Sequence, residues 1–348
     1  MKNKLWYDWK WQVQNSVTDI KQILNQKVTY NYNMRVTPYY MSLMKDDDNC
    51  PIRKQAIPSH KELEKNSINY EKYGIDITDS LCEKKYSPVS HLVHRYPDRV
   101  MIEVTNNCFM YCRFCTRKRL TKIDRKQNDL KSAYKYIREN ENIRDVLLSG
   151  GDPLTLEDSQ LEETISTLKE IKHIEIIRIG TRAPVVMPMR ITDELTDMLR
   201  KYHPIWINTH FNHPVEVTEQ SQNACEKLIN AGIPMGNQSV LLKEINDNVE
   251  VYKELCLKLV KMRVRPYYLY QCDIGEGLEH FRTNIKVGVN IIKELRQNIT
   301  GFAIPAYVID APNGGGKITI NPENIVEWTE DYVKLKNYLG DEYYYPEI

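Results

Sequence analysis

Residues 174–209 read IEIIRIGTRAPVVMPMRITDELTDMLRKYHPIWINT. A β-branched run, IEIIRI, is followed by a turn rich in polar and small residues. Next comes ITDELTDMLRKY, whose apolar residues recur at three- and four-residue steps, and then a second β-branched run, IWINT. The first pattern is that of a strand and the second that of an amphipathic helix. The period of about 30 residues is that of one βα unit. The same alternation extends both ways. VMIEV (100–104), DVLLS (145–149), PMGNQSV (234–240), RPYYLY (265–270) and FAIPAYVI (302–309) read as further strands. LEETISTLKEI, EQSQNACEKLINAG and VEVYKELCLKLVKM read as further helices. Strand–helix–strand alternation implies a parallel sheet covered by helices. Six or seven such units point to a complete or partial barrel, with an open doubly wound sheet as the competing arrangement. In either case the loops after the strands' C-terminal ends should hold a site.

The sequence of those loops supports that expectation. After the first strand comes CFMYCRFCTRKR (108–119), after the next SGGDP, then GTRAP, then THFNHP; the last two strands run into YQCD and DAPNGGGK. Glycine, thiol and charge gather on one end of the presumed barrel.

Composition narrows the class. The chain has 348 residues, 41% hydrophobic and 27% charged, with a formal net charge of +1. These are the proportions of a globular protein, without the basic excess of a nucleic-acid binder. No apolar run approaches the ~20 residues of a membrane span, and MKNKLWYDWKWQVQ lacks the form of a secretory signal, so a cytoplasmic setting is expected. Eight cysteines are too few for a disulfide framework in a chain of this length. Clustered thiols in a reducing compartment more often bind metal or do chemistry. Cys225 and Cys256 lie within helical patterns and read as small buried hydrophobes. Cys50 and Cys82 carry no assigned role.

Cys108, Cys112 and Cys115 are spaced C-x3-C-x2-C. A structural zinc site wants four ligands, so zinc would need a distant partner. A 4Fe–4S cluster held by three thiolates leaves one iron open to another ligand. DAPNGGGK resembles a phosphate loop but lacks the Ser or Thr and the following helix. Lys317, presented on flexible backbone, instead suits a Schiff base.

The cysteine spacing, with Phe114 before the last thiol, resembles the radical S-adenosylmethionine signature. HRYPDRV, CFMYCRFCTRKR, LLSGGDPL, IRIGTRAPVV, NTHFNHP, GNQSVLL, RPYYLYQCD, HFRT and DAPNGGGK, in this order over residues 94–317, resemble the lysine 2,3-aminomutase family. The resemblance implies an isomerase that joins S-adenosylmethionine radical chemistry to pyridoxal 5′-phosphate. Its fold would be a partial (β/α)6-type TIM barrel over residues 94–320, with a helical arm over 1–93 and an irregular tail over 321–348. In the arm, WYDWKWQVQNSVTDIKQILNQ would be helical, packed down by Trp6, Trp9 and Trp11.

Site roles follow from the same resemblance. Cys108, Cys112 and Cys115 would hold the cluster. Gly150, Gly151 and Asp152 would bind the methionine end of S-adenosylmethionine, with His210 and Gln238 lining its site. Lys317 would carry pyridoxal phosphate, with Arg95 and Arg99 on its phosphate and Tyr96 against its ring. Arg117 would take the substrate's α-carboxylate, and Asp273 and Asp310 its ε-ammonium. Glutamate-acting relatives have lysine and asparagine at those two places. The expected reaction is L-lysine to L-β-lysine, with arginine or a lysine destined for elongation factor P as alternatives within the class. A non-catalytic iron–sulfur or zinc-binding barrel is the alternative outside it. A flavodoxin- or ferredoxin-type reductant is expected. Longer relatives carry a C-terminal zinc-binding cysteine group absent here, so a homodimer rather than a tetramer is expected. Asn313 replaces the first of the family's usual four glycines, a substitution that left-handed backbone tolerates.

Overall fold

The computed structural model describes residues 4–22, 32–122, 129–321, 325–329, 331–337 and 340–346. Nine strands form one sheet in chain order: β1 (Leu92–Tyr96), β2 (Arg99–Thr105), β3 (Asp145–Gly150), β4 (Ile176–Gly180), β5 (Ile205–Thr209), β6 (Met235–Leu241), β7 (Arg265–Gln271), β8 (Ala306–Ala311) and β9 (Gly316–Thr319). β2 to β8 are parallel to one another. β1 and β9 are antiparallel additions at the two edges. In the arm lie α1 (Trp9–Gln14), α2 (Pro38–Met41) and α3 (Pro51–Ala56). α4 (Lys131–Arg138), α5 (Asp158–Lys169), the short α6 (Ala183–Val186) with α7 (Asp193–Arg200), α8 (Glu219–Asn230), α9 (Val249–Lys261) and α10 (Ile285–Asn298) fill the six crossovers. The result is the expected partial barrel of (β/α)6 type, completed by a seventh parallel strand.

The two-residue period of the strands builds two environments. Val146, Leu148, Ile177, Ile179, Ile205 and Ile207 are fully buried under the helices. Their neighbours Asp145, Leu147, Arg178 and Asn208 face a cavity inside the sheet. Because that inner face is polar, it does not fill with packed layers of side chains as a closed barrel does. Closure at the gap is made by side chains. The β9 backbone N–H of Lys317 donates to the Tyr96 hydroxyl of β1 at 3.0 Å, and Tyr86 Oη donates to the Gly314 carbonyl at 3.3 Å.

Two expectations need correction. The N-terminal helix stops at Gln14. Asp8 caps its start, but Asn15 and Ser16 bond back to the Trp11 and Gln12 carbonyls at 2.9 and 2.8 Å. Side chains that compete for helix carbonyls in this way favour termination. Val17 then bridges Val36 as a β-pair; residues 23–26 of that pattern lie outside the described residues. Trp6 and Trp9 do pack on the core, and Trp11 stands beside Trp6. The C-terminal segment, expected to be irregular, is an antiparallel meander of β10 (Ile325–Trp328), β11 (Tyr332–Lys336) and β12 (Glu342–Pro346). Its cross-strand pairs explain it: Lys334 meets Glu342 at 2.6 Å, and the rings of Tyr332 and Tyr344 meet edge-on. Among the described residues no helix is long and apolar enough to cross a membrane.

Candidate active site

The loop after β2 carries Cys108, Cys112 and Cys115, all partly buried and none in a disulfide. Burial, then the charges of Asp152 and the other two thiols, holds Cys108 well above the usual thiol range. Burial and Cys112 push Cys115 up to about 11. Cys108 and Cys115 therefore both feel the neighbouring thiols. No group of three or more His, Cys, Asp or Glu among the described residues closes into a metal-holding set, so the fit to a cluster rests on the donor chemistry: three sulfurs on one short loop, with a cation at hand. That cation is Arg182, whose Nη1 lies 3.0 Å from Cys112 Sγ.

The glycines after β3 have a packing reason. Gly150 has φ +105°, and a Cβ there would sit 2.4 Å from the Thr105 carbonyl oxygen; one on Gly151 would sit 2.1 Å from that of Asn107. Gly151 and Asp152 donate their N–H groups to these same carbonyls. The glycine loop is thus pressed flush on the stretch leading into the cysteines. Asp152 is buried, and its carboxylate accepts from Leu154 N, Thr181 Oγ1 and Arg182 N at 3.0, 2.6 and 2.9 Å. It serves the loop first; an incoming ammonium would share it. His210 follows β5. Its ring lies 5.5 Å from that of Phe114, and burial, then Arg182, lowers it to about 3, so it is neutral. Gln238 comes from the neighbouring strand β6, where Asn237 is the register partner of Thr209, and lines the wall of the inner cavity.

That cavity, of about 480 Å³, is also lined by Arg95, Tyr96, Arg99, Arg117, Asp310 and Lys317. Asp310 and Lys317 are register partners across β8 and β9. Lys317 Nζ donates to both Asp310 oxygens at 2.9 and 3.2 Å and lies 5.2 Å from the Tyr270 ring centroid. Burial, then the charge of Asp310, pushes Asp273 up to about 7, against the hydroxyl of Thr116 and the charges of Lys317 and Arg117. Arg99 stacks on the Tyr96 ring at 3.9 Å. Arg95 donates through Nη2 to the Leu81 carbonyl, while its buried Nε has no hydrogen-bond partner. A buried guanidinium donor left unmatched beside a lysine and an aromatic ring fits a phosphorylated aldehyde cofactor.

Arg117 lines the cavity as expected, but its Nε donates to Glu83 at 2.7 Å. Burial would raise Glu83; Arg117 and Arg119 outweigh it and hold the carboxyl at about 2. A substrate carboxylate would have to replace or share Glu83. Glu83 lies in the arm in a polar stretch that gave no signal. Arg182 was visible in GTRAP as a charge directly after a strand, yet its role appears only in three dimensions.

A parallel partial barrel with three thiols on the first loop and the glycine loop pressed against it defines a radical S-adenosylmethionine enzyme. The profile of the radical SAM superfamily matches residues 102–256, and a profile described as lysine-2,3-aminomutase matches residues 292–348. L-lysine 2,3-aminomutase of Clostridium subterminale is 48% identical over 96% of this chain and 83% of its own length. That of Bacillus subtilis is 48% identical over 98% and 74%. Glutamate 2,3-aminomutase of Clostridioides difficile is 43% identical over 96% and 81%. The chain belongs to the lysine 2,3-aminomutase family.

Proposed function

We propose that the protein is a 2,3-aminomutase that converts L-lysine to L-β-lysine. The observation that carries the substrate is the Asp310–Asp273 pair. In the structure a primary alkylammonium, Lys317 Nζ, already sits on both oxygens of Asp310, and the charge of Asp310 helps raise Asp273. Lys317 Nζ stands in for the ε-ammonium of a substrate. Two carboxylates facing one ammonium form charge-assisted bonds and reject acidic side chains. The 43% identity to a glutamate enzyme means overall likeness cannot choose the substrate, so these two positions must.

The residues divide the work. Cys108, Cys112 and Cys115 hold the 4Fe–4S cluster, with S-adenosylmethionine against Gly150, Gly151, Asp152 and His210. Gln238, on the cavity wall, would line the S-adenosylmethionine site together with His210. Lys317 anchors pyridoxal phosphate, Arg95 and Arg99 its phosphate, and Tyr96 its ring. Bound together, these groups supply a hydrogen-abstracting radical and a π system that stabilises the substrate radical. Arg117, released from Glu83, takes the α-carboxylate. Asp273 and Asp310 fix the far end, so the reacting carbon is held in place and water is kept out. No side chain is required to move a proton in the migration. The domain division at about residues 93 and 320 and a homodimer are part of the proposal. Ile325, Val326, Trp328, Tyr343 and Tyr344 are exposed on the two faces of the C-terminal sheet, apolar surface that a second copy could cover; light scattering on the purified protein tests it.

Anaerobic reconstitution with iron, sulfide, S-adenosylmethionine and pyridoxal phosphate, followed by product analysis on lysine, should give β-lysine. Turnover of arginine or another amino acid in its place would contradict the substrate assignment.

A further inference from the structure

The guanidinium of Arg182 joins the cysteine loop, the segment after β5 and the arm. Nε donates to the His210 carbonyl at 3.0 Å. Nη2 donates to Gln55 Oε1 and Glu216 Oε1, each at 2.6 Å, and the Tyr40 hydroxyl is 3.4 Å away. Its Cζ lies 5.3 Å from the Phe114 ring centroid, and its backbone N–H is held by Asp152. The side chain is 8% exposed and that of Glu216 not at all.

Glu216 is itself immobilised. Oε1 also accepts from Tyr40 Oη at 2.6 Å, and Oε2 accepts from Asn212 N and His213 N at 2.6 and 2.9 Å. The guanidinium is planar, so fixing Nε and Nη2 fixes Nη1. Nη1 points at Cys112 Sγ, 3.0 Å away. A neutral thiol is a weak acceptor. A thiolate bonded to iron is a strong one, and hydrogen bonds to cluster sulfurs set the reduction potential.

We infer that Arg182 is a positioning residue that tunes the cluster: its charged N–H donates to the sulfur of Cys112 and makes the cluster easier to reduce, and the arm, through Gln55 and Tyr40, holds it there. The inference rests on the radical reading of the cysteine loop. A reduced cluster carries one more negative charge, and a fixed buried cation a hydrogen bond away stabilises that state more than the oxidised one. Placing the donor under the control of the arm ties cluster reduction to a correctly docked N-terminal segment.

Two measurements test it. In protein labelled with ¹⁵N only at the arginine guanidinium nitrogens, reconstituted and reduced without S-adenosylmethionine, pulsed EPR should detect a weakly coupled ¹⁵N at the cluster; its absence in reduced, cluster-loaded protein overturns the inference. In cluster-loaded Arg182→Lys and Arg182→Gln, EPR-monitored titration should give more negative potentials. The expected shift for Arg182→Gln is about a tenfold change in the reduction equilibrium, or about 59 mV for one electron, and Arg182→Lys should shift less. A merely structural arginine would lower cluster yield and leave the potential of the loaded fraction unchanged, which would also overturn it. If the unmodified protein assembled no 4Fe–4S cluster at all, the reading of the cysteine loop would fall instead. The labelled wild-type measurement stands even if neither variant folds.

Discussion

The cysteine side of the barrel and its lysine edge are built on opposite principles. On the cysteine side, the loops after β2, β3, β4 and β5 are locked by buried charge and by backbone contacts too tight for a Cβ. At the lysine edge, two antiparallel strands meet through a tyrosine hydroxyl, and the turn from β8 into the first residue of β9 uses left-handed backbone at Asn313, Gly314 and Gly316. The first region must hold a radical source rigidly. The second must admit and release a substrate. The contrast teaches that substitutions on one side should act mainly on fold and cluster, and on the other mainly on turnover.

Gly151→Ala should break the rigid side most severely. Its Cβ would meet backbone on Asn106 and Asn107 within 2.7 Å, which no side-chain rotation relieves. The expected loss is about 4 kcal/mol or more, read by chemical denaturation, together with failure to retain iron. A variant of normal stability would erase the contrast. Asp310→Asn should leave stability and iron content nearly intact yet lower kcat/KM on lysine ~100- to 1000-fold, because a charge-assisted bond to the ammonium is lost. Steady-state kinetics decides; an unchanged kcat/KM would remove Asp310 from the substrate site.

The pH behaviour follows Asp273. Its carboxyl is raised to about 7 by burial and by Asp310, so it is neutral below that pH and binds an ammonium best above it. KM for lysine should fall as pH rises through about 7. The stability sign is opposite. Between its ordinary pKa and 7 the folded state holds the proton more tightly, so ionising Asp273 costs stability as pH rises through that window. Asp273→Asn should flatten both profiles, and parallel profiles in variant and wild type would refute the assignment. The smallest effect belongs to Tyr96→Phe, which removes one bond across the barrel gap. A loss of about 1 kcal/mol is expected, with faster amide exchange confined to β9; uniform destabilisation would show that the gap is closed some other way.

The sequence made the seven parallel strands legible because β-branched runs with a two-residue period mark strands whatever surrounds them. It made the site's end of the barrel legible because glycine, cysteine and charge sat after each strand. Arg182 and Glu83 escaped for a different reason. Gln55 lies 127 residues from Arg182 and Glu83 lies 34 from Arg117, so their partners are fixed by docking of the arm, which has no periodic signature. The C-terminal sheet escaped because its stability comes from cross-strand pairs such as Lys334–Glu342, not from a buried apolar alternation.

The separation of the two regions can be tested in one variant. Lys317→Ala, reconstituted anaerobically with iron, sulfide, S-adenosylmethionine and pyridoxal phosphate, should keep the cluster's EPR signal and its perturbation by S-adenosylmethionine while losing the bound-cofactor absorbance and all β-lysine formation. β-Lysine still produced by that variant, or a cluster signal lost along with the lysine, would contradict the account.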